Sequence, residues 1–155
     1  MRNKQKGFSL IELLIVVAII LIIAAIAIPN LLRSKIAANQ ASAVGSLRTL
    51  NTACIAFSTS YGTFPAALTN LGPVGSGGTA SSSSADLIDS VLAGGTKSGY
   101  VFTFTAGASN QSYSVTATPI TAATTGQNMY YTDQSGVIRV DTSGSSAGAS
   151  STPIG

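Results

Sequence analysis

Titratable side chains are scarce in this chain, so the few that could do chemistry are easy to enumerate. Eight basic and five acidic residues are spread over 155 positions, with no histidine and a single cysteine. One acid, Glu12, stands inside the apolar run "FSLIELLIVVAIILIIAAIAIPN" (8–30), where loss of hydration makes a charge most costly. A carboxylate so placed can only do chemistry with an opposite charge brought to it. Directly in front of the run stands a basic stub, Arg2, Lys4 and Lys6, that ends in the small residue Gly7.

The other candidates carry less. Cys54 has no second cysteine or histidine to help it hold zinc, an iron–sulfur cluster or a haem, and it has no disulfide partner in its own chain. No metal, cofactor or catalytic residue is therefore expected. Asp86 and Asp89, three apart, suit the start of a short helix better than acid–base catalysis. Asp133 in "DQSG" could ligate calcium, but with so few acids nearby it suits a turn cap better. "GGTKSG" (94–99) lacks the Gly-Lys order and the spacing of a phosphate loop.

The elements that must position Glu12 follow from the hydropathy pattern. Residues 8–28 are nearly all Leu, Ile, Val and Ala, and as a helix they would span roughly 31 Å, about one hydrocarbon core. The formal net charge of +3 lies wholly in the stub, since five bases and five acids balance from Phe8 onward. Cations just before an apolar segment predict a basic end in the cytoplasm and export of the rest. A broad nucleic-acid footprint is absent; Arg33 and Lys35 are the only local basic pair on this stretch, and no more than weak direct nucleic-acid binding is expected. A conventional signal peptide cut near "AAIAIPN" (24–30) and an uncleaved signal anchor are both compatible with the run taken alone.

Past Pro29, which should bend the chain, residues 30–60 still read as helix, now amphipathic. Ile36, Ala43, Leu47, Leu50, Cys54, Phe57 and Tyr61 recur at spacings of 7, 4, 3, 4, 3 and 4, one apolar stripe at helical period. Such a stripe predicts packing on whatever follows, with Cys54 as a small buried hydrophobe. Residues 61–142 then form a globular region: a loop rich in Gly, Pro and Ser, a short helix in "SADLIDSVLAGG" (84–95) capped by Ser84 or Asp86, and strands in "GYVFTFTA", "SYSVTAT", "NMYYT" and "GVIRV". Short connections favour an antiparallel sheet of three or four strands. Residues 143–155 read as a flexible low-complexity tail. The fold class is α+β.

"KGFSLIELLIVVAIILIIAAIAIPN" (6–30) closely resembles the N-terminus of type IV pilins and pseudopilins, most of all a type IVa major pilin. The match covers the short basic leader, the Gly/Phe junction, the Glu at the fifth position after it and the Pro near the end of the run. "YGTFP" and "YYTDQSGVIRV" extend the likeness more weakly. The resemblance implies a ladle fold, with a long N-terminal helix whose second half packs on an antiparallel sheet. It implies that residues 1–7 are a leader peptide, cut between Gly7 and Phe8 by an inner-membrane prepilin peptidase that also N-methylates Phe8. It further implies that Glu12 pairs with the amine of Phe8 on a neighbouring copy, and that Pro29 marks a bend or local unwinding.

The implied partners are the chain itself in a helical homopolymer, the peptidase/methyltransferase, an inner-membrane assembly platform, and the lipid bilayer before assembly. The implied function is that of a major structural subunit of a type IV pilus, not an enzyme: a single-pass precursor in the inner membrane, then an extracellular fibre for adhesion, twitching motility or DNA uptake. A major pseudopilin of a type II secretion system shares the leader and helix. A membrane-tethered periplasmic binding module is a more distant alternative, since a tether needs no amphipathic continuation past Pro29. Cys54 departs from the disulfide-closed C-terminal region of many pilins, which puts an adhesive loop of that kind in doubt but not the fold.

Overall fold

In a computed structural model, residues 7–154 are described. Residues 1–6 of the expected leader lie outside them. The chain divides into two compact units, one ending at Ser34 and one beginning at Lys35.

The first unit is helical from Leu10 onward, as the opening part of α1 (Leu10–Tyr61). Its long aliphatic side chains find no protein neighbours: Leu14, Ile20 and Ile26 stay 58–65% exposed. Pro29 sits inside α1 without breaking it. Its missing N–H removes one intrahelical bond, while nearby side chains add others: Asn30 Nδ2 donates to the Ile26 carbonyl at 3.1 Å and Ser34 Oγ to the Asn30 carbonyl at 2.9 Å. Residue 29 of this single chain is helical, not unwound.

The second unit contains the rest of α1, a 3₁₀ turn at Leu68–Leu71, the short helix α2 (Ser90–Ala93), and a six-stranded antiparallel sheet. Its strands are β1 (Thr96–Lys97), β2 (Tyr100–Ala106), β3 (Tyr113–Pro119), β4 (Met129–Asp133), β5 (Arg139–Asp141) and β6 (Thr152–Pro153), each paired with the next in order. Side chains alternate between the faces of β2, β3 and β4, so that Tyr100 and Phe102, then Tyr113, Val115 and Ala117, then Tyr130 and Thr132 point inward. Ala117 lies opposite both Phe102 and Tyr130, and its small side chain makes room for the two rings. Into this face pack Ala43, Leu47, Leu50, Cys54 and Phe57 of α1, joined by Leu71 and Leu92 from the connecting segment.

Four expectations change. The sheet has six strands rather than three or four, because β1 and β6 are two residues each and too short to show an alternating pattern. The segment read as a flexible tail returns to the sheet: β6 pairs with β5, Ala147 is buried, and the Ile154 amide donates to the Ile138 carbonyl at 2.8 Å. The short helix is one turn long, and its cap is Asp89 instead of Ser84 or Asp86. Asp89 Oδ1 accepts from the Leu92 amide at 2.9 Å, whereas Ser84 is tied to the carbonyls of Gly72 and Pro73 and Asp86 adopts φ 56°. The apolar stripe is also shorter than its period suggested. Ile36 is half-buried and Tyr61 is exposed, while Ser46, Asn51 and Ala53 are buried on the same helix.

Asn51 is the polar centre of that contact. Its Nδ2 donates to Thr132 Oγ1 at 2.9 Å and to the Gly136 carbonyl at 3.1 Å, and its Oδ1 accepts from Tyr113 Oη at 3.1 Å. Thr132 passes its own proton to the Val137 carbonyl at 3.1 Å. Helix, two strands and the β4–β5 turn are thus held by one buried network. Asn51→Leu leaves Tyr113 Oη without its acceptor and the Gly136 carbonyl without its donor, while Thr132 keeps Val137, and each orphaned group should cost about 1–3 kcal/mol. A urea titration followed by tyrosine near-UV circular dichroism checks this, with a lower midpoint expected.

Cys54 is fully buried beside Tyr113, and burial pushes its thiol up to about 12, only partly offset by the Tyr113 hydrogen bond. The thiolate is the nucleophile, so Cys54 should resist iodoacetamide at pH 8 in the folded protein and react on denaturation. Mass spectrometry of the two samples reads the difference.

Candidate functional site

The helix start around Glu12 is built from four residues, Ser9-Leu10-Ile11-Glu12, with the spacing of a capping box. Gly7, Phe8 and Ser9 lie outside the helix. The Ser9 carbonyl accepts the first helical bond, from the Leu13 amide at 3.2 Å. Glu12 Oε2 turns back and accepts from the Ser9 amide at 2.9 Å. A helix begins with unsatisfied N–H groups and a partial positive charge, so an acid in the first turn is stabilised twice: by the bond and by the dipole. The sequence holds this signal in its Ser-x-x-Glu spacing, and reading Glu12 only as an acid in a greasy run overlooked it.

Glu12 lies one turn into α1, yet its side chain is directed at the helix's own N-terminal end. The carboxylate reaches backward along the helix to the amide of the residue next to Phe8. It is therefore not a stray charge waiting for a partner. It is already held at the end of the helix where a cut after Gly7 would place a new amine.

Around this cap the surface is apolar. Phe8 is 77%, Leu10 75% and Ile11 63% exposed, and large exposed side chains continue to Leu32. Uncovered apolar surface of that extent requires lipid or other protein segments. Among the described residues, α1 is the helix long and apolar enough to cross a membrane.

The other predicted residues lie apart from this end of the chain. Ala43, Leu47, Leu50, Cys54 and Phe57 are core, Ile36 lies at its margin, and Tyr61 sits outside it against Phe57. Asp133 organises the β4–β5 turn, where its Oδ1 accepts from the Ser135 amide at 2.9 Å. Burial raises the Asp133 pKa, but the bonds from Ser135 outweigh it and hold the carboxyl below the usual range. Asp89 accepts from Lys97 at 2.8 Å, and that bond lowers its pKa. No cluster of three metal-ligating side chains occurs among the described residues.

Comparison with known proteins adds the context. Residues 2–28 match the family model of the prokaryotic N-terminal methylation motif. The chain is similar to the type IV major pilin protein PilA of Myxococcus xanthus, with 52% identity over 50 residues, 32% of this chain and 23% of that protein. It is similar to the type IV major fimbrial protein FimA of Dichelobacter nodosus, with 52% identity over 59 residues, 36% of this chain and 37% of that one. To the type IV wide pilus major component PilA4 of Thermus thermophilus it is 65% identical over 40 residues, 26% of this chain and 30% of that one. The matched segments thus span 23–37% of these relatives' own lengths. No solved structure matches the chain.

A methylation motif thus runs into an apolar helix, and the amphipathic part of α1 in the second unit packs on an antiparallel sheet. The N-terminal segment that carries the motif is thus similar to the same segment of type IV major pilins.

The cap makes a prediction that separates bonding from charge. Glu12→Gln keeps an acceptor for the Ser9 amide, whereas Glu12→Ala removes it. Hydrogen exchange of the Ser9 amide in detergent micelles should stay slow in the first variant and become fast in the second.

Proposed function

We propose that the chain is the precursor of a major type IV pilus subunit, of type IVa character, with a structural role and no catalysis. The observation that carries this reading is the uncovered apolar surface from Phe8 to Leu32, led by a capped carboxylate and by the methylation motif. In this reading the precursor spans the inner membrane once, with residues 1–7 in the cytoplasm and the part from Lys35 outside.

A prepilin peptidase hydrolyses the Gly7–Phe8 peptide bond. Water supplies the oxygen of the new Gly7 carboxylate, and Phe8 is left with a free amine. N-methylation of Phe8 by the same enzyme leaves that nitrogen able to hold a proton and a positive charge. The cut also removes Arg2, Lys4 and Lys6, the cations that anchored the stub on the cytoplasmic side.

Assembly then replaces lipid contacts with helix packing at a platform in the inner membrane. A carboxylate at the bilayer midplane costs about 2.5–3.5 kcal/mol on insertion scales, and the Ser9 bond and the position near the helix end reduce that cost. In the fibre, Glu12 accepts the Phe8 amine of a neighbouring copy. Removing one member of such a buried pair is far more damaging than the pair is stabilising, so the pair acts on register more than on strength. Pro29 supplies the bend, and the buried face from Ala43 to Phe57 gives the helix its seat on the sheet.

Electron microscopy of filaments sheared from cells, with mass spectrometry of their main band, tests the reading. Long extracellular fibres of a chain beginning at N-methylated Phe8 are expected. Confinement of the processed chain to the periplasm would instead identify a secretion pseudopilin. In cells without any other pilin, Glu12→Ala should yield no fibres; fibres at the parental level would sink the register role.

A further inference from the structure

Tyr61, which falls outside the core despite its helical spacing, forms part of an open cleft of about 370 Å³, within the range of small-molecule sites, roughly 300–1,000 Å³. The cleft lies at the C-terminal end of α1, and Thr63, Phe64, Asn70, Ser82 and Asn110 contribute to its walls. We propose that it is a binding site for a neutral saccharide, independent of whether the chain polymerises.

The first support is what the walls hold. The Tyr61 ring is set against the buried Phe57 ring, with centroids 4.6 Å apart, so an exposed aromatic face is fixed in place. Around it stand polar groups with no hydrogen-bond partner among the described residues: Tyr61 Oη, Thr63 Oγ1, Ser82 Oγ and the Asn110 side-chain amide. Asn70 commits its Oδ1 to the Ala67 amide at 2.8 Å, which fixes the side chain and leaves Nδ2 free. The set offers both donors and acceptors beside an apolar ring face. A sugar ring has the matching pattern, with C–H bonds on its faces and hydroxyls that both donate and accept around its edge.

The second support is backbone strain. Ser109 and Asn110 adopt φ 52° and 55°, a left-handed conformation that non-glycine residues rarely take in succession. The Asn110 carbonyl accepts from the Phe64 amide at 2.9 Å, which ties this strained turn to the other wall of the cleft. Strain of this kind concentrates where a side chain must be presented to a ligand.

The same walls exclude other ligands. No Lys, Arg, Asp or Glu lines the cleft, so a phosphate, a nucleic acid or an acidic sugar would meet no counter-charge. A purely apolar ligand would leave the amides and hydroxyls desolvated and unpaired.

The test is saturation-transfer NMR on the full chain in phosphocholine micelles, which carry no sugar headgroup. Lactose, cellobiose, chitobiose and mannobiose are the neutral probes, and sialyllactose and glucuronic acid the anionic ones. At least one neutral disaccharide should receive transfer. Tyr61→Ala should weaken it at least tenfold, and Tyr61→Phe should retain most of it. Asn70→Asp keeps the acceptor for Ala67, replaces the free donor by a second acceptor and adds a negative charge; it should also weaken binding, and it decides the matter if Tyr61→Ala fails to fold. Absence of transfer to every neutral probe, transfer that survives both Tyr61→Ala and Asn70→Asp, or anionic probes binding as well as neutral ones would overturn the proposal.

Discussion

An amide buried between a helix and a sheet must satisfy its donors and acceptor without help from water. Asn51 does so with partners drawn from β3, β4 and the β4–β5 turn. Apolar contacts such as Leu47 and Leu50 supply most of the burial, but they are non-directional and would tolerate a helix displaced along its axis. The hydrogen bonds of Asn51 would not. A shift of one residue breaks all of them, so the network fixes how the helix is seated while the aliphatic stripe drives the seating. The strands that meet Asn51 are in turn aligned by their own register, with Val115 opposite Thr132 and Ala117 opposite Tyr130.

Along α1 the same helical backbone meets two demands. From Ala43 to Phe57 its burial is one-sided and its polar residues lie outside, apart from Ser46 and Asn51. Before Ser34 almost every side chain is apolar and exposed, which suits a lipid or multi-helix surrounding and no other. Glu12 belongs to the second regime, but the backbone moderates its cost. The capping bond gives the carboxylate an intramolecular partner for as long as no amine is available.

Strong periodicity made much of this legible in the sequence. The apolar run, the turn to one-sided burial after Pro29 and the alternation in "GYVFTFTA" and "SYSVTAT" each extend over enough residues to fix an element and its face. What escaped was short or set by tertiary contact. Two-residue strands have no period, so β1 and β6 could not be read, and a Gly- and Ser-rich composition hid the return of residues 152–153 to the sheet. Tyr61 fits the helical stripe but stays exposed beside Phe57, because burial depends on what covers a side chain rather than on spacing. The cap at Glu12 was available in Ser-x-x-Glu and was masked by the louder hydropathy signal. The saccharide cleft was not legible at all, because Tyr61, Asn70, Ser82 and Asn110 meet only after the chain has folded.

The two outermost strands have a further consequence. Each is only two residues long; β1 carries Lys97, and β6 ends its pairing at Pro153, whose nitrogen has no hydrogen to offer. Sheets with long unguarded margins recruit other chains edge to edge and grow as amyloid does. Blunted strands thus discourage the sheets of separate copies from joining edge to edge.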